Sequence, residues 1–383
     1  MNSSLHHVPF LDLKRQYLSI KSEIDSTLRE ILDTSSFIGG PIKEKFEKEY
    51  ASAMGVRDCI GVGNGTDSLF LILWALREMG RLQPGDEIIT AANSFISSAE
   101  AISLAGLRVR FIDIDPETMN MDLNILDEVL KTQAKTRGGK IAGLMPVHLY
   151  GRMMDMKKIM SLASEYNLQV IEDTAQAHLA EREGRKAGTW GHAGSFSFYP
   201  GKNLGAYGDA GAVVTHDEKL GQLIRKLANH GRIKKYDHDR EGTNSRLDTL
   251  QAAVLSVKLR HLPRWTKKRI ELAVRYDELL REIPQIHRPQ LPPAGEHVFH
   301  LYTLRVENRD AVQGQLKERG IETSIHYPTM LPQLKAYEYL NVPPESFPVA
   351  QAYQHQILSL PLFPEMTSSE QEYVVQSLKS IFN

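Results

Sequence analysis

The sequence is organised around one segment, Gly194-Ser-Phe-Ser-Phe-Tyr-Pro-Gly-Lys-Asn-Leu-Gly-Ala-Tyr-Gly-Asp-Ala-Gly-Ala-Val-Val-Thr215. It predicts two short strands, residues 194–198 and 210–215, on either side of a glycine-rich loop. Lys202 lies at the tip of that loop. Strands on both sides would fix the lysine, and burial would lower the pKa of its amine, which favours a covalent nucleophile. The alternative is a solvated surface charge, as for most lone loop lysines.

Two common nucleotide-binding motifs are excluded. Asn203 follows Lys202 where a P-loop needs Ser or Thr, and Phe196 stands where its first glycine belongs. The glycine-rich turn Gly61-Val-Gly-Asn-Gly-Thr66 fails as a dinucleotide fingerprint, because Thr66 occupies the third glycine position. A Rossmann-type oxidoreductase is therefore disfavoured.

Composition limits the class of protein. The chain has 383 residues, enough for two or three domains with a large core. Its formal net charge is −1 with a pI near 6.9, so no basic field indicates nucleic acid or an anionic membrane. Cys59 is the only cysteine, which excludes an intrachain disulfide and a cysteine-based zinc site, and we expect no metal.

The sequence predicts a cytoplasmic, soluble protein. The N-terminus lacks a basic segment followed by an apolar core, and no apolar run approaches 18 residues. We therefore expect no signal peptide and no membrane span.

Apolar strands alternate with helices along most of the chain, which predicts an α/β fold with a mainly parallel sheet covered on both faces. After a largely helical start at residues 10–54, the predicted strands are residues 58–62, 87–90, 108–114, 141–147 and 168–172.

A smaller α/β domain is expected at the C-terminus. A long helical pattern begins near Leu247 and is interrupted at Pro263, which places the boundary between residues 1–262 and 263–383. The smaller domain is predicted to contain strands at 298–306 and 322–326, with a helix at 310–319 between them. Its last helix would start with a capping box formed by Thr367 and Glu370.

The strand at residues 168–172 ends in Asp173-Thr-Ala-Gln176. Ligands of open α/β sheets bind at the carboxyl ends of strands, where Asp173 would lie. A helix N-cap is one interpretation of this aspartate. The other is a buried carboxylate that keeps a heteroaromatic nitrogen protonated, with Gln176 bonded to a neighbouring ring oxygen.

The turn at residues 61–66 suits a single phosphate. Helix N-termini offer free N–H groups and a positive dipole, and Thr66 adds a hydroxyl. Ser197 could complete the cradle from the other side, whereas the plain alternative is an ordinary helix start. Phe95 follows a strand at its carboxyl end and could cover a ring. A phosphate cradle, an acid for a ring nitrogen, an aromatic face and a lysine together specify pyridoxal 5′-phosphate (PLP).

Several motifs resemble one known family, the DegT/StrS nucleotide-sugar aminotransferases, which are fold type I PLP enzymes. The motifs are Ile171-Glu-Asp-Thr-Ala-Gln176, Ser197-Phe-Tyr-Pro-Gly-Lys-Asn-Leu-Gly205, Gly208-Asp-Ala-Gly211 and Asn244-Ser-Arg-Leu-Asp-Thr-Leu-Gln-Ala-Ala253. The likeness runs nearly end to end, from Phe10-Leu-Asp-Leu13 to Ser359-Leu-Pro-Leu362.

The resemblance implies a role for each matching cofactor residue. Lys202 would form the internal aldimine with PLP and then carry protons. Asp173 would face the pyridine nitrogen, Gln176 the ring hydroxyl and Phe95 the ring face. The phosphate would be held by Gly65, Thr66 and Ser197, and by Asn244 from a neighbouring subunit, which implies a homodimer with shared active sites.

The resemblance also implies the substrates. An amino donor, L-glutamate in most relatives, would supply the amino group to a keto sugar carried on a nucleotide. Phe37, Ile38, His326 and Tyr327 match segments near the sugar-nucleotide pocket. The form Gly63-Asn-Gly-Thr-Asp67 is closer to 3-keto than to 4-keto enzymes, and a 4-keto substrate is the alternative. Leu331-Pro-Gln333 departs from a histidine that many relatives carry there, which leaves the sugar open. A non-catalytic regulator with the same fold is the rival from another class.

Overall fold

The larger part of the chain is built on a seven-stranded sheet, and a three-stranded sheet lies in the C-terminal part. The computed structural model describes residues 7–133 and 140–382. Its strands are β1 (Asp58–Val62), β2 (Glu87–Ala91), β3 (Arg108–Ile112), β4 (Ile141–Leu144), β5 (Gln169–Asp173), β6 (Glu181–Arg182), β7 (Arg185–Lys186), β8 (Ala193–Ser197), β9 (Gly211–Thr215), β10 (Arg232–Lys234), β11 (Asp237–His238), β12 (Ile286–His287), β13 (Tyr302–Val306) and β14 (Ile357–Leu360).

Helices cover both sheets. They are α1 (Leu13–Ser19), α2 (Lys21–Thr34), α3 (Pro41–Met54), α4 (Gly65–Glu78), α5 (Ile96–Leu104), α6 (Leu123–Gln133), α7 (Met156–Glu165), α8 (Glu218–Leu227), α9 (Thr249–Leu279), α10 (Arg309–Glu318), α11 (Pro348–Tyr353) and α12 (Ser368–Phe382). Short 3-10 turns occur at Leu149–Gly151, Leu280–Glu282, Leu331–Gln333, Lys335–Leu340 and Pro344–Ser346.

The large sheet has the strand order β1-β9-β8-β5-β4-β2-β3. β9 is antiparallel to β1 and β8, and the other neighbouring pairs are parallel. Its strands are almost entirely buried, as expected when helices cover both faces. The predicted α/β fold with a mainly parallel sheet is confirmed, and the carboxyl ends of the six parallel strands share one edge, where the candidate site lies.

The second sheet is antiparallel, in the order β12-β13-β14. A separate core packs against it, in which Tyr276, Tyr302 and Phe363 are fully buried. The N-terminal segment joins this part of the molecule, since the amide of Val8 donates to the carbonyl of Gly320 at 2.9 Å. The capping box of α12 is confirmed by the bond from the amide of Thr367 to Oε2 of Glu370 at 2.8 Å and by its reciprocal bond at 3.2 Å.

The expected interruption at Pro263 is wrong, because α9 continues through this residue from Thr249 to Leu279. Its first half joins the core beside β8 and β9 through Ala252 and Leu255, and its second half enters the C-terminal core through Ala273 and Tyr276. Burial at both ends stabilises the helix despite the hydrogen bond that proline cannot make. The division into residues 1–262 and 263–383 remains a proposal, with this helix as the element that joins the two parts.

The predicted strand at residues 322–326 is also wrong. This segment makes isolated bridges, in which Ile321 pairs with Val8 and Ser324 with Ser359, and it does not form a continuous ladder. The segment contacts two different parts of the chain, since the amide of Glu322 donates to the carbonyl of Val8 at 3.0 Å and that of Ser324 to the carbonyl of Ser359 at 3.2 Å. Among the described residues, no helix is both long enough and apolar enough to cross a bilayer.

Candidate active site

A cavity of about 940 Å³ opens at the carboxyl edge of the large sheet, between that sheet and the C-terminal part of the chain. Nine of the twelve residues predicted from the sequence line it. They are Gly65, Thr66, Phe95, Asp173, Gln176, Ser197, Lys202, His326 and Tyr327. Parallel strands explain this gathering, because residues that follow β1, β2, β5 and β8 leave the sheet at the same edge.

Asp173 is the last residue of β5, and it is only 7% exposed. Its Oδ2 accepts a hydrogen bond from Oγ of Ser98 at 2.7 Å, and its Oδ1 accepts from the amide of Ala175 at 3.2 Å. Oγ of Ser94 lies 2.7 Å from Oγ of Ser98 and continues the network. Donors on both oxygens stabilise a charged carboxylate, so Asp173 is suited to holding a positive charge in the cavity.

The neighbouring Glu172 is fully buried, and its hydrogen bonds hold the end of β5 in place. Its carboxylate accepts hydrogen bonds from the amides of Gly188, Trp190 and Gly191, each at 2.7 Å, and from Nε2 of His148 at 3.0 Å. This network fixes the backbone next to Asp173.

Lys202 reaches the cavity from the loop between β8 and β9. Burial lowers the pKa of its amine from 10.5 to about 8, and the nearby charge of Asp173 acts in the opposite direction. The amide of Lys202 donates to the carbonyl of Tyr199 at 2.8 Å, which closes a tight turn. A substantial fraction of the amine is therefore neutral and nucleophilic near pH 8.

Three histidines around Lys202 are held neutral. Burial lowers the pKa of His326 to about 4 and that of His178 to about 3, and it lowers the pKa of His300 well below its ordinary value. The Lys202 charge contributes to each shift. Nε2 of His178 donates to the carbonyl of Ser197 at 3.0 Å, which holds the end of β8. These histidines add hydrogen-bonding groups to the site without adding positive charge at neutral pH.

The first turn of α4 and the end of β8 form a small polar pocket within the cavity. A Cβ on Gly65 would lie 2.7 Å from Cβ of Ser197, so glycine is needed for this close approach. Oγ1 of Thr66 lies 2.7 Å from Oγ of Ser97, which also lines the cavity. Hydroxyls next to the N-terminus of a long helix are suited to binding a phosphate.

Aromatic and amide groups form another wall. The rings of Phe95 and Tyr327 lie 5.4 Å apart, and Phe95 is 52% exposed. Nε2 of Gln176 donates to the hydroxyl of Tyr327 at 3.2 Å, while its Oε1 accepts from the amide of Tyr150 at 2.6 Å. Burial and the Asp173 charge raise the pKa of Tyr327, so its hydroxyl stays protonated.

The structure does not bring Phe37, Ile38 or Asn244 to this cavity. Phe37 and Ile38 are 43% and 58% exposed, and Asn244 is also exposed. The three lie in neighbouring segments, since Ile38 pairs with Asp248 and the carbonyl of Phe37 accepts from the amide of Thr249 at 3.0 Å. Within one chain they form a surface next to the site.

Several cavity residues were missed from the sequence. Ser98, Arg269 and His300 line or support the site, but each lies on an element whose pattern indicates only an ordinary helix or strand. Arg269 is 3% exposed, and its Nη1 donates to the carbonyls of Phe299, His300 and Leu362. No local motif could have revealed these residues, because their role depends on tertiary contacts. In the described part of the chain, no cluster of three His, Cys, Asp or Glu residues could hold a metal ion.

Comparisons with known sequences agree over nearly the whole chain. Residues 18–379 match the model of the DegT/DnrJ/EryC1/StrS aminotransferase family. The chain is 42% identical to the erythromycin biosynthesis sensory transduction protein EryC1 of Saccharopolyspora erythraea, with 97% of this chain and 99% of that protein covered. It is 40% identical to a dTDP-3-amino-3,4,6-trideoxy-α-D-glucose transaminase of Streptomyces venezuelae, with 97% and 95% covered.

A third relative carries a different nucleotide in its name. The chain is 35% identical to the UDP-2-acetamido-2-deoxy-3-oxo-D-glucuronate aminotransferase of Pseudomonas aeruginosa, with 97% of this chain and 99% of that protein covered.

Solved structures match the fold closely. S. venezuelae DesV, in complex with a ketimine intermediate, superposes with a TM-score of 0.92 at 38% identity, covering 98% of this chain and 99% of that one. NtdA from Bacillus subtilis, with the bound cofactor PMP, superposes with a TM-score of 0.87 at 31% identity, covering 100% and 86%.

Proposed function

Because this chain belongs to the DegT/DnrJ/EryC1/StrS aminotransferase family, we propose that it is a PLP-dependent aminotransferase acting on a keto sugar carried on a nucleotide diphosphate. One observation carries the proposal. Lys202 and Asp173 face the same cavity, beside a helix N-terminus lined with hydroxyls.

The residues present fit PLP. Its phosphate would be held by the first turn of α4 with Thr66 and Ser197, where the absence of a side chain at Gly65 leaves the necessary space. Asp173 would pair with the pyridine nitrogen, Gln176 would contact the ring hydroxyl, and Phe95 would cover the ring. Lys202 would be the point of covalent attachment. Bound PLP would supply an aldehyde for the amine and a ring that withdraws electrons from the reacting carbon.

The chain's own groups would handle the protons and the charge. Once released from the cofactor, the Lys202 amine has a pKa near 8, so it can both accept and return a proton close to neutral pH. The Asp173 carboxylate would keep the ring nitrogen protonated. The neutral histidines avoid further positive charge near Lys202, and the buried setting strengthens each electrostatic contact.

We propose L-glutamate as the amino donor and a 3-keto sugar as the acceptor. The motif Gly63-Asn-Gly-Thr-Asp67 supports 3-amination, and two of the relatives described above carry the 3-position in their names. Those relatives use different nucleotides, dTDP and UDP, so the family likeness does not select one. A 4-keto sugar is the alternative within the same chemistry.

We also propose a cytoplasmic homodimer with shared active sites. Asn244 is exposed and precedes Ser245, whose Oγ accepts from the amide of Gly63 at 3.0 Å and donates to Asp67 at 2.6 Å. The segment of Asn244 is therefore fixed to the turn before α4 while its side chain faces outward. Phe37 and Ile38 add apolar surface next to it, which suits a contact with a second copy.

Incubation with L-glutamate and a panel of 3-keto and 4-keto sugars on dTDP and UDP tests the proposal by mass spectrometry. An amino sugar nucleotide formed together with 2-oxoglutarate is the expected product pair. Amination of a free sugar phosphate, with every nucleotide sugar ignored, would overturn the substrate class and leave the aminotransferase chemistry intact.

A regulatory protein is the second candidate, because the EryC1 relative is named for sensory transduction. Lys202 and its surroundings favour catalysis. An absorbance scan separates the two functions, since an aminotransferase loses its cofactor band on addition of glutamate, whereas a regulator that binds PLP keeps the band with every amino donor.

A further inference from the structure

Lys258 is a fully buried lysine in α9 that lies outside the cavity. Burial lowers the pKa of its amine to about 8, and the Glu365 charge acts in the opposite direction. Among the described residues, no carboxylate oxygen lies within 4.0 Å of the Lys258 Nζ, so the amine has no ion-pair partner there. A buried cation without a close counter-ion is costly, so its contacts indicate what it does.

Both contacts of the Lys258 amine are in the loop that carries Lys202. Its Nζ donates a hydrogen bond to the carbonyl of Gly205 at 2.8 Å, and it lies 4.3 Å from the centre of the Tyr207 ring. The hydrogen bond is buried, and a bond from a charged donor is strong where water is excluded. The Tyr207 ring is 38% exposed, so the cation–π contact adds less than it would in a fully buried setting.

The loop is tight enough to pass a shift at Gly205 on to Lys202. A Cβ on Gly205 would lie 2.2 Å from the carbonyl oxygen of Pro200, so the two ends of residues 200–205 touch. The amide of Ala206 donates to the carbonyl of Phe198 at 2.7 Å and closes the loop at its base. Lys202 is the middle of this closed turn, and its position depends on where the turn is held.

α9 provides a second anchor about two helical turns before Lys258, where Oε1 of Gln251 accepts a hydrogen bond from the amide of Tyr207 at 2.8 Å. The opposite side is held by Asn203, whose Nδ2 donates to the carbonyl of Val298 at 3.1 Å. Gln251 is only partly buried, and Asn203 belongs to the loop itself. Lys258 is therefore the fully buried side chain of α9 that fixes the loop to this helix.

We propose that Lys258 is a positioning residue, which holds the Lys202 loop through the Gly205 carbonyl and the Tyr207 ring and so sets the direction of the Lys202 amine. The inference rests on the proposed role of Lys202 as the site of cofactor attachment. It also gives a reason for a lysine in the core, because an apolar residue would leave the Gly205 carbonyl without its donor.

The test compares Lys258→Met holoenzyme with wild type and with Lys267→Met, which removes an exposed lysine from the same helix. Two quantities are measured: the visible circular dichroism per bound cofactor, and the rate constant of the glutamate-dependent absorbance change. Misplacement by about 1 Å can cost about 100-fold, so we expect a rate loss of roughly that size, with reduced dichroism and an unchanged half-saturating glutamate concentration. Lys267→Met should match wild type.

The proposal is overturned if Lys258→Met keeps the wild-type rate and dichroism, or if the rate falls while the dichroism is unchanged. If Lys258→Met does not fold, Lys258→Arg carries the same test, because it keeps the charge but moves the donor atoms, and both readouts must still fall together. Lys202→Ala distinguishes a failure of the role proposed for Lys202 from a failure of the role proposed for Lys258. Glutamate-dependent bleaching in Lys202→Ala would refute the role of Lys202 itself, whatever Lys258→Met shows.

Discussion

Oγ of Ser98 donates a hydrogen bond to Oδ2 of Asp173 at 2.7 Å. Ser98 lies in the first turn of α5 and Asp173 at the end of β5, so the bond joins a helix that follows β2 to a strand two positions away in the sheet. Together with the bond from the Ala175 amide, it fixes the plane of the carboxylate at the cavity wall. The acid proposed to face the cofactor nitrogen is therefore oriented before any ligand binds.

Removal of this donor should slow catalysis. A hydrogen bond to a charged group contributes about 1.5–3 kcal/mol, so Ser98→Ala should lower the rate constant of the glutamate-dependent absorbance change by about 10-fold or more. Ser103→Ala is the matched control, because this serine lies on the exposed side of the same helix. Equal rates for Ser98→Ala and wild type would show that the Ala175 amide alone orients Asp173.

Gly65→Ala should weaken cofactor binding. The added Cβ would meet Cβ of Ser197 at 2.7 Å and Cα of the same residue at 3.2 Å, which forces the end of β8 away from α4. We expect the dissociation constant for PLP, measured by fluorescence titration of apoenzyme, to rise at least about 10-fold. Gly314→Ala lies in α10 with no atom within 4 Å of the new Cβ and should bind PLP as wild type does. Wild-type affinity in Gly65→Ala would contradict the phosphate cradle.

The amine of Lys202 should titrate far below an ordinary lysine. In apoenzyme treated with an acetylating reagent across a pH series, peptide mapping should show modification of Lys202 rising with a midpoint near pH 8, against 10.5 for an unperturbed lysine. Only the neutral amine reacts, so the rate increases with pH and levels off above the pKa. Asp173→Asn should move the midpoint lower, because the Asp173 charge raises the pKa of Lys202. A midpoint near 10.5 would mean that the amine is solvated.

Shared active sites predict complementation between inactive subunits. Lys202→Ala and Asn244→Ala should each have low activity alone. If Asn244 serves the partner's cavity, a mixed dimer contains one site with both wild-type residues, and random reassociation restores about a quarter of the full activity. No recovery after mixing, with mixed dimers present by native mass spectrometry, would place Asn244 outside the partner's site.

Much of the fold could be predicted from the sequence because its signals are local. The strand at Asp58–Val62 agrees residue for residue, and the remaining strands of the large sheet differ at their ends by one to three residues. The capping box of Thr367 and Glu370 is equally local. The strands depend on short continuous apolar runs bounded by turn residues, and the capping box on two residues three positions apart.

The errors arise where tertiary contacts decide the structure. Pro263 lies inside α9 because the helix is buried at both ends in two cores, which offsets the missing hydrogen bond. Residues 322–326 do not form a strand because their partners, Val8 and Ser359, belong to different segments.

The candidate site also combines residues that have a local sequence pattern with residues that only tertiary contacts bring there. Lys202, Asp173 and the turn before α4 could be found from motifs, whereas Ser98 and Lys258 act through residues distant in the sequence and leave no local pattern. Asn244 and Phe37 do not line the cavity within one chain, and the proposed dimer would bring them to a partner's site.

We propose that one amine, that of Lys202, binds the cofactor covalently. Reduction of the PLP-loaded protein with borohydride, followed by proteolysis and mass spectrometry, tests it most directly. We expect a phosphopyridoxyl group on the peptide that contains Lys202 and its loss in Lys202→Ala. A label on any other lysine, or no label on a protein that holds PLP tightly, would contradict it.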